Sequence, residues 1–250
     1  MIDVCITIHR NYDWLTLQDD NWRRIVGDYR LIVCDNTPPD LRRDIRLPGA
    51  EIFTLDVDGF DGVTHGAALD ALVRRATSDI VCVMDSDFFW LRPDTLSKIQ
   101  ILFDRGCRCA GAEPWYDDWC RYVNDKYPEI AGPLAPCVFG MFVDRRLALE
   151  QTFVVTPQET CERFAYTGWR LRERLIKEKI PSVVFPGFRF PNRNASLAAG
   201  NPGLHEIAHE AVIHGAEDCP VGVHFVKGSG SKSHLSASAL SFLDKLRLRA

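Results

Sequence analysis

Asp79-Ile80-Val81-Cys82-Val83-Met84-Asp85-Ser86-Asp87 joins an apolar, β-branched run to a pair of acids. Residues 80–84 read as a buried strand. Phe88-Phe89-Trp90-Leu91 and the break Arg92-Pro93-Asp94 follow, and the break starts a helix. Two carboxylates one residue apart at the carboxyl end of a core strand lie where open α/β sheets bind ligands. Mg²⁺ and Mn²⁺ favour such oxygen donors and bridge carboxylates to a substrate's phosphates. The plainer alternative is a solvated turn that carries two acids.

The same alternation extends on both sides of this segment. Strands are predicted at about 2–8, 30–35, 51–56, 79–84 and 107–112, with helices at about 11–26, 63–77 and 93–104. That order gives an α/β fold with a mostly parallel sheet flanked by helices. Val63, Ala67, Ala68, Ala71, Leu72 and Ala76 form a core-facing stripe on the second helix. The second half is less regular. A strand is predicted at 136–143, an amphipathic helix at about 158–179 and a strand at 182–185. A loop over 186–203, a helix at about 204–213, a strand at 221–226 and a last helix at about 235–248 complete the reading. No internal repeat or linker separates two domains, so one domain over 1–250 is expected, with a change of lobe near 112.

Composition narrows the function classes. The chain has 250 residues, 46% hydrophobic and 26% charged, and a formal charge of −4, which leaves no basic footprint for nucleic acid. No apolar run approaches the roughly 20 residues that a transmembrane helix needs. The start, Met1 to Arg10, reads as a short strand without the basic region and cleavage site of a signal peptide. Nine cysteines, with no C-x-x-C pair, argue against a disulfide framework or zinc knuckle and fit a reducing cytoplasm.

Further residues gather around the acidic pair. Asp35 ends the second strand, where an acid can accept from a ribose hydroxyl or a base N–H, or can cap the turn Asp35-Asn36-Thr37-Pro38. His65-Gly66 opens the helix that leads into the Asp85 strand. A helix start favours phosphate, Gly66 lets the backbone approach a ligand, and His65 either contacts phosphate or caps.

Strand 2–8, Asp35, helix 63–77 and Asp85-Ser86-Asp87 together resemble the nucleotide-sugar half of GT-A glycosyltransferases, family-2-like enzymes of the nucleotide-diphospho-sugar transferase superfamily. The resemblance covers about residues 2–113 and continues loosely to 185. It implies a Rossmann-like GT-A fold, with a nucleotide-sugar lobe over about 1–112 and an acceptor lobe over about 113–250. It also implies metal-dependent transfer of a sugar from a nucleoside-diphosphate donor to a hydroxyl acceptor. Asp85 and Asp87 would hold ribose and Mn²⁺ or Mg²⁺, and Thr7, His9, Asp35, His65 and Lys227 would lie along the nucleotide. His224 ends the strand Val221-Gly222-Val223 and resembles the late histidine that completes the metal site in many GT-A enzymes. Neutral imidazole suits Mn²⁺, and the following Gly/Ser loop with Lys227 and Lys232 suits a diphosphate.

Inverting relatives carry a carboxylate where this chain has Tyr166, so Glu159, Glu162, Asp117 or Asp118 is expected to supply the base, and a retaining mechanism also stays open. Trp115-Tyr116-Asp117-Asp118-Trp119 offers aromatic faces and acids for an acceptor sugar. His205-Glu206-Ile207-Ala208-His209 formally matches a zincin motif, but Val212 and Gly215 replace the metzincin glycine and histidine, so a zinc metalloprotease is a remote alternative and His205, His209 or His214 is expected to bind substrate in an acceptor wall. Two rivals remain: a sugar-1-phosphate nucleotidyltransferase, against which His9-Arg10-Asn11-Tyr12 counts, and a catalytically degenerate nucleotide-sugar-binding protein. The last helix packs on the body or on a second subunit of a homo-oligomer.

Overall fold

The computed structural model describes residues 1–25, 27–55, 62–113, 135–159, 167–188, 211–216, 219–225, 239 and 241–244. The first half runs β1 (Ile2–Ile8), α1 (Tyr12–Arg24), β2 (Tyr29–Asp35), β3 (Glu51–Thr54), α2 (Gly62–Arg75), β4 (Ile80–Asp85), β5 (Phe88–Trp90), α3 (Thr95–Asp104) and β6 (Cys109–Ala112). The second half runs β7 (Gly140–Asp144), α4 (Arg145–Leu149), α5 (Trp169–Lys177), β8 (Ser182–Phe185), β9 (Gly187–Phe188), β10 (Ala211–Ala216) and β11 (Cys219–Phe225).

Seven strands form one sheet in the order β3-β2-β1-β4-β7-β6-β8. The first four are parallel, β7 runs antiparallel to both neighbours, and β8 is parallel to β6. Alternation along the buried strands assigns the helices to opposite faces. Val4, Ile6, Val33, Cys82 and Met84 pack with Leu15 and Trp22 of α1 and Leu96 and Ile99 of α3. Cys5, Ile32, Cys34, Val81 and Val83 pack with Ala68, Leu69 and Leu72 of α2, Leu147 of α4 and Leu171 of α5. Six described cysteines are free and buried, as small core side chains. Among the described residues no helix is long and apolar enough to cross a membrane.

A second sheet, β5-β11-β10-β9, is antiparallel throughout and covers the carboxyl-end side of the first. Its strands alternate as well. Phe88 and Trp90 join the core of the large sheet, whereas Phe89, Ile213, Val223 and Phe225 join Trp14 and Phe242 on the other side. The Phe88 ring is lodged between two glycines. A Cβ on Gly140 or on Gly222 would lie 2.7 Å from ring carbons of Phe88, which is itself fully buried.

Several expectations change here. The run 88–90 is a strand rather than the approach to a helix, because β11 supplies it with ladder partners. Residues 211–213, expected in a helix, belong to β10, where Ile213 faces one core and Val212 and His214 the other side of the sheet. Within the helix expected over 158–179, the described residues are helical at 158–159 and at Trp169–Lys177, and Gly168 has φ of +82°, outside helical backbone. The strand expected from 136 starts at Gly140, and the loop expected over 186–203 contains β9.

At the end of the sheet remote from Asp85, Asp3 is fully buried and accepts Arg30 Nε at 2.8 Å and Nη2 at 3.0 Å. Its Oδ2 also accepts the N–H groups of Thr77 and Ser78 at 2.5 and 2.9 Å. Burial opposes the charge, but Arg30 and the two backbone donors outweigh it and hold Asp3 below the usual carboxylate range. The folded pKa is the lower one, so this contribution is complete above the unfolded value of about 4 and is lost as pH falls through the folded value. Asp3→Asn is expected to cost about 1.5–3 kcal/mol in urea unfolding at pH 7 and to flatten the stability loss below about pH 4. Gly222→Ala is expected to cost about 1–3 kcal/mol by the same measurement, because the Phe88 ring has no free space to yield.

Candidate functional site

Parallel pairing brings several strand ends to one edge. Thr7 lies opposite Asp85, and Ile8 opposite Asp35. The turn after β4 is held by α1. Gln18, fully buried, donates from Nε2 to the Ser86 carbonyl at 2.9 Å and also to the Phe88 carbonyl, and Asn11 Nδ2 donates to Ser86 Oγ. Ser86 and Asp87 are each 1% exposed.

Pairing of β5 with β11 then carries His224 to the acids. Phe88 sits opposite His224, and the Phe225 N–H donates to the Asp87 carbonyl at 3.0 Å. His224 Nε2 lies 3.4 Å from Asp87 Oδ1. One ligand atom from each of Asp85, Asp87 and His224 lies within 4.8 Å of the others. The His224 ring stacks on Phe139, with centroids 4.4 Å apart and planes at 20°. Its Nδ1 is buried without a hydrogen-bond partner among the described residues.

His65, in the first turns of α2, places Nε2 3.4 Å from Asp85 Oδ1. Burial raises the Asp85 pKa, but the hydrogen bond from His65 and the charges of His65 and His224 outweigh it, so the carboxyl is held below its ordinary range. A buried carboxylate needs a counter-charge or a metal. Two carboxylates and an imidazole at this spacing, one imidazole nitrogen lacking a partner, fit a divalent ion of the Mg²⁺–Mn²⁺ class.

The other predicted residues divide. Thr7 is buried at the same edge, and the His9 N–H donates to Asn11 Oδ1 at 2.7 Å in the turn above it. Asp35 is 2% exposed and accepts from Tyr12 O–H at 3.0 Å and from Thr37 N–H at 2.9 Å, so it caps its turn while standing at the site edge. Glu159 and Thr156 bond reciprocally in a capping box, and Arg170 pairs with the same carboxylate. The Thr156 N–H first, then Arg170, lower its pKa, the wrong direction for a base. Gly66 makes room for the backbone of Val154, to which a Cβ would come within 2.4 Å, rather than for a ligand. Lys227, Trp115, Tyr116, Asp117, Asp118, Trp119, His209 and Tyr166 lie outside the described residues.

Sequence reasoning missed Gln18, Asn11 and Glu113, whereas His214, named for the acceptor wall, lies in β10 and is fully buried. Gln18 had a readable signal: it interrupts the apolar stripe Trp14, Leu15 and Trp22 on α1. Glu113 follows β6 directly and is 7% exposed. Burial first, and the neighbouring His224 second, push the His214 imidazole down to about 3, so it is neutral.

The structure is similar to crystal structures of glucosyl-3-phosphoglycerate synthase from Mycobacterium tuberculosis. The complex with phosphoglyceric acid matches at a TM-score of 0.50 and 16% identity, over 74% of this chain and 70% of that one. The complex with Mn²⁺, uridine diphosphate and glucosyl-3-phosphoglycerate matches at 0.50 and 18%, over the same shares. The fold is GT-A. No family model matches the chain, and no curated protein matches its sequence. Within the GT-A sheet the acidic turn follows the central strand β4, and its position depends on α1. Gln18→Leu is expected to lower stability by about 1–3 kcal/mol in urea unfolding, because the Ser86 and Phe88 carbonyls lose their buried donor.

Proposed function

We propose that the protein is a metal-dependent glycosyltransferase that moves a sugar from a nucleoside-diphosphate donor to a hydroxyl acceptor. The observation that carries this reading is the cluster of Asp85, Asp87 and His224, assembled from two sheets at the carboxyl edge of a GT-A fold. These three residues would hold the divalent ion, and the imidazole favours Mn²⁺ over Mg²⁺. When bound, the ion would neutralise the diphosphate and stabilise the charge of the leaving group.

The chain's own residues supply the rest. His65 orients Asp85, and Gln18 and Asn11 fix the turn that carries Asp87. Asp35 has its carboxylate held by Tyr12 and Thr37 in one orientation, which suits an acceptor for a base N–H or a ribose hydroxyl. Thr7 and His9 line the same edge, and Lys227 would approach the diphosphate from the chain after β11. Trp115, Tyr116, Asp117, Trp119 and His209 are proposed as acceptor contacts on their chemistry, in a lobe that begins near 113. The buried free thiols agree with a reducing cytoplasm.

Thermal unfolding with UDP, GDP, CDP and dTDP, each with and without Mn²⁺, tests the reading. One nucleotide is expected to stabilise the protein only with Mn²⁺, by about 2.7 kcal/mol at a hundredfold excess over Kd. Asp87→Ala is expected to abolish that shift. No Mn²⁺-dependent shift with any of the four would refute the donor site.

A further inference from the structure

Three acids end strands along the carboxyl edge of the large sheet: Asp35 on β2, Asp85 on β4, and Glu113 directly after β6. In the order β2-β1-β4-β7-β6, Asp35 and Glu113 lie two strand positions from Asp85, on opposite sides of it. At about 4.8 Å per strand, each separation is roughly 10 Å. A nucleoside-diphosphate sugar is itself a linear sequence of base, ribose, diphosphate and sugar. With its base end towards Asp35 and its diphosphate at Asp85, Asp87 and His224, the sugar and the hydroxyl that attacks it fall over the ends of β7 and β6.

Glu113 is fixed at that place from both sides. Its N–H donates to the Phe185 carbonyl at 2.9 Å, and its Oε2 accepts the Gly187 N–H at 2.7 Å. That second bond sets the carboxylate in the seam between the two sheets, because Gly187 belongs to β9 and pairs with His214 of β10. His214 is fully buried, and neither ring nitrogen has a hydrogen-bond partner among the described residues, although the Phe185 carbonyl lies near enough to favour its protonated form. The rings of Phe88 and Phe139 pack on His214 and close it off, which leaves Glu113 as the ionisable group of this seam. The alternative base among the described residues, Glu159, is occupied by Thr156 and Arg170.

We infer that Glu113 is the general base that deprotonates the acceptor hydroxyl, an assignment that rests on the donor site proposed above. The acceptor O–H proton passes to the Glu113 carboxylate as the acceptor oxygen bonds to the sugar's anomeric carbon. The bond from that carbon to the diphosphate oxygen breaks, and its electron pair leaves on the diphosphate. Attack from the side opposite the leaving group inverts the anomeric centre. Water at the same place gives slow hydrolysis of the donor by the same movement of atoms.

The test uses the full chain with Mn²⁺ and UDP-glucose, UDP-N-acetylglucosamine or GDP-mannose, following release of the nucleoside diphosphate and the anomer of the freed sugar by NMR. The wild type is expected to hydrolyse the donor whose nucleoside diphosphate stabilises it and to release the inverted anomer first. Glu113→Gln is expected to lower kcat by about a hundredfold or more, with KM and the Mn²⁺-dependent nucleotide shift unchanged, and Glu113→Asp to recover part of the rate. Wild-type turnover in Glu113→Gln, release of the retained anomer, or a wild type that binds donor without hydrolysing it overturns the assignment while leaving the donor site intact. If no nucleoside diphosphate binds the wild type, the donor site fails first and the assignment falls with it.

Discussion

The antiparallel pairing of β5 with β11 is the contact on which the candidate site depends. A strand of only three residues, Phe88–Trp90, follows the acidic turn and would be a weak element alone. Against β11 it gains a ladder, and that ladder sets Phe88 opposite His224 and Asp87 beside Phe225. Packing enforces the same register. The Phe88 ring fills the space left by two glycines, one on β7 of the large sheet and one on β11 of the small one. A shift of one residue would turn Phe88 and Trp90 away from the large-sheet core and His224 away from the acids.

Electrostatics and packing divide the large sheet between its two ends. At the end that carries Asp3, the buried carboxylate meets an arginine and two backbone donors, so its charge is matched within the chain. At the other end, Asp85 and Asp87 converge, with the imidazoles of His65 and His224 each 3.4 Å from one of the carboxylates. The first arrangement is complete in itself and stabilises the fold. The second gathers negative charge at low exposure, which is the condition under which a bound cation gains most.

The N-terminal half was legible because local pattern and tertiary role agree there. Buried parallel strands read as continuous apolar runs, so strand ends and the acidic pair could be placed to within a few residues, whereas the stripe expected on α2 is rotated, with Val63 exposed and Leu69 and Val73 buried. His224 was legible as a strand-ending histidine before a Gly/Ser loop. Of the second sheet only β11 was legible, because β5 and β9 are short and their partners are distant in the chain: β5 pairs with β11, and β9 with β10. Ala211-Val212-Ile213 has no periodicity that separates helix from strand over so few residues, and the neighbours decided it. At Glu159 the Thr-x-x-Glu spacing is the more telling local signal, since the structure forms the capping box it spells.

The pairing of β5 with β11 also sets an order of events along the chain. The acidic turn belongs to the fourth strand, whereas the imidazole that faces it arrives on the eleventh. A state in which β11 has come away from β5 would display both carboxylates without the imidazole and would hold a divalent ion less well. Capture of an ion by the proposed site would therefore report the pairing of β11 with β5 and not the β1–β4 layer alone. By linkage, a captured ion favours the closed small sheet over any state in which β11 has come away.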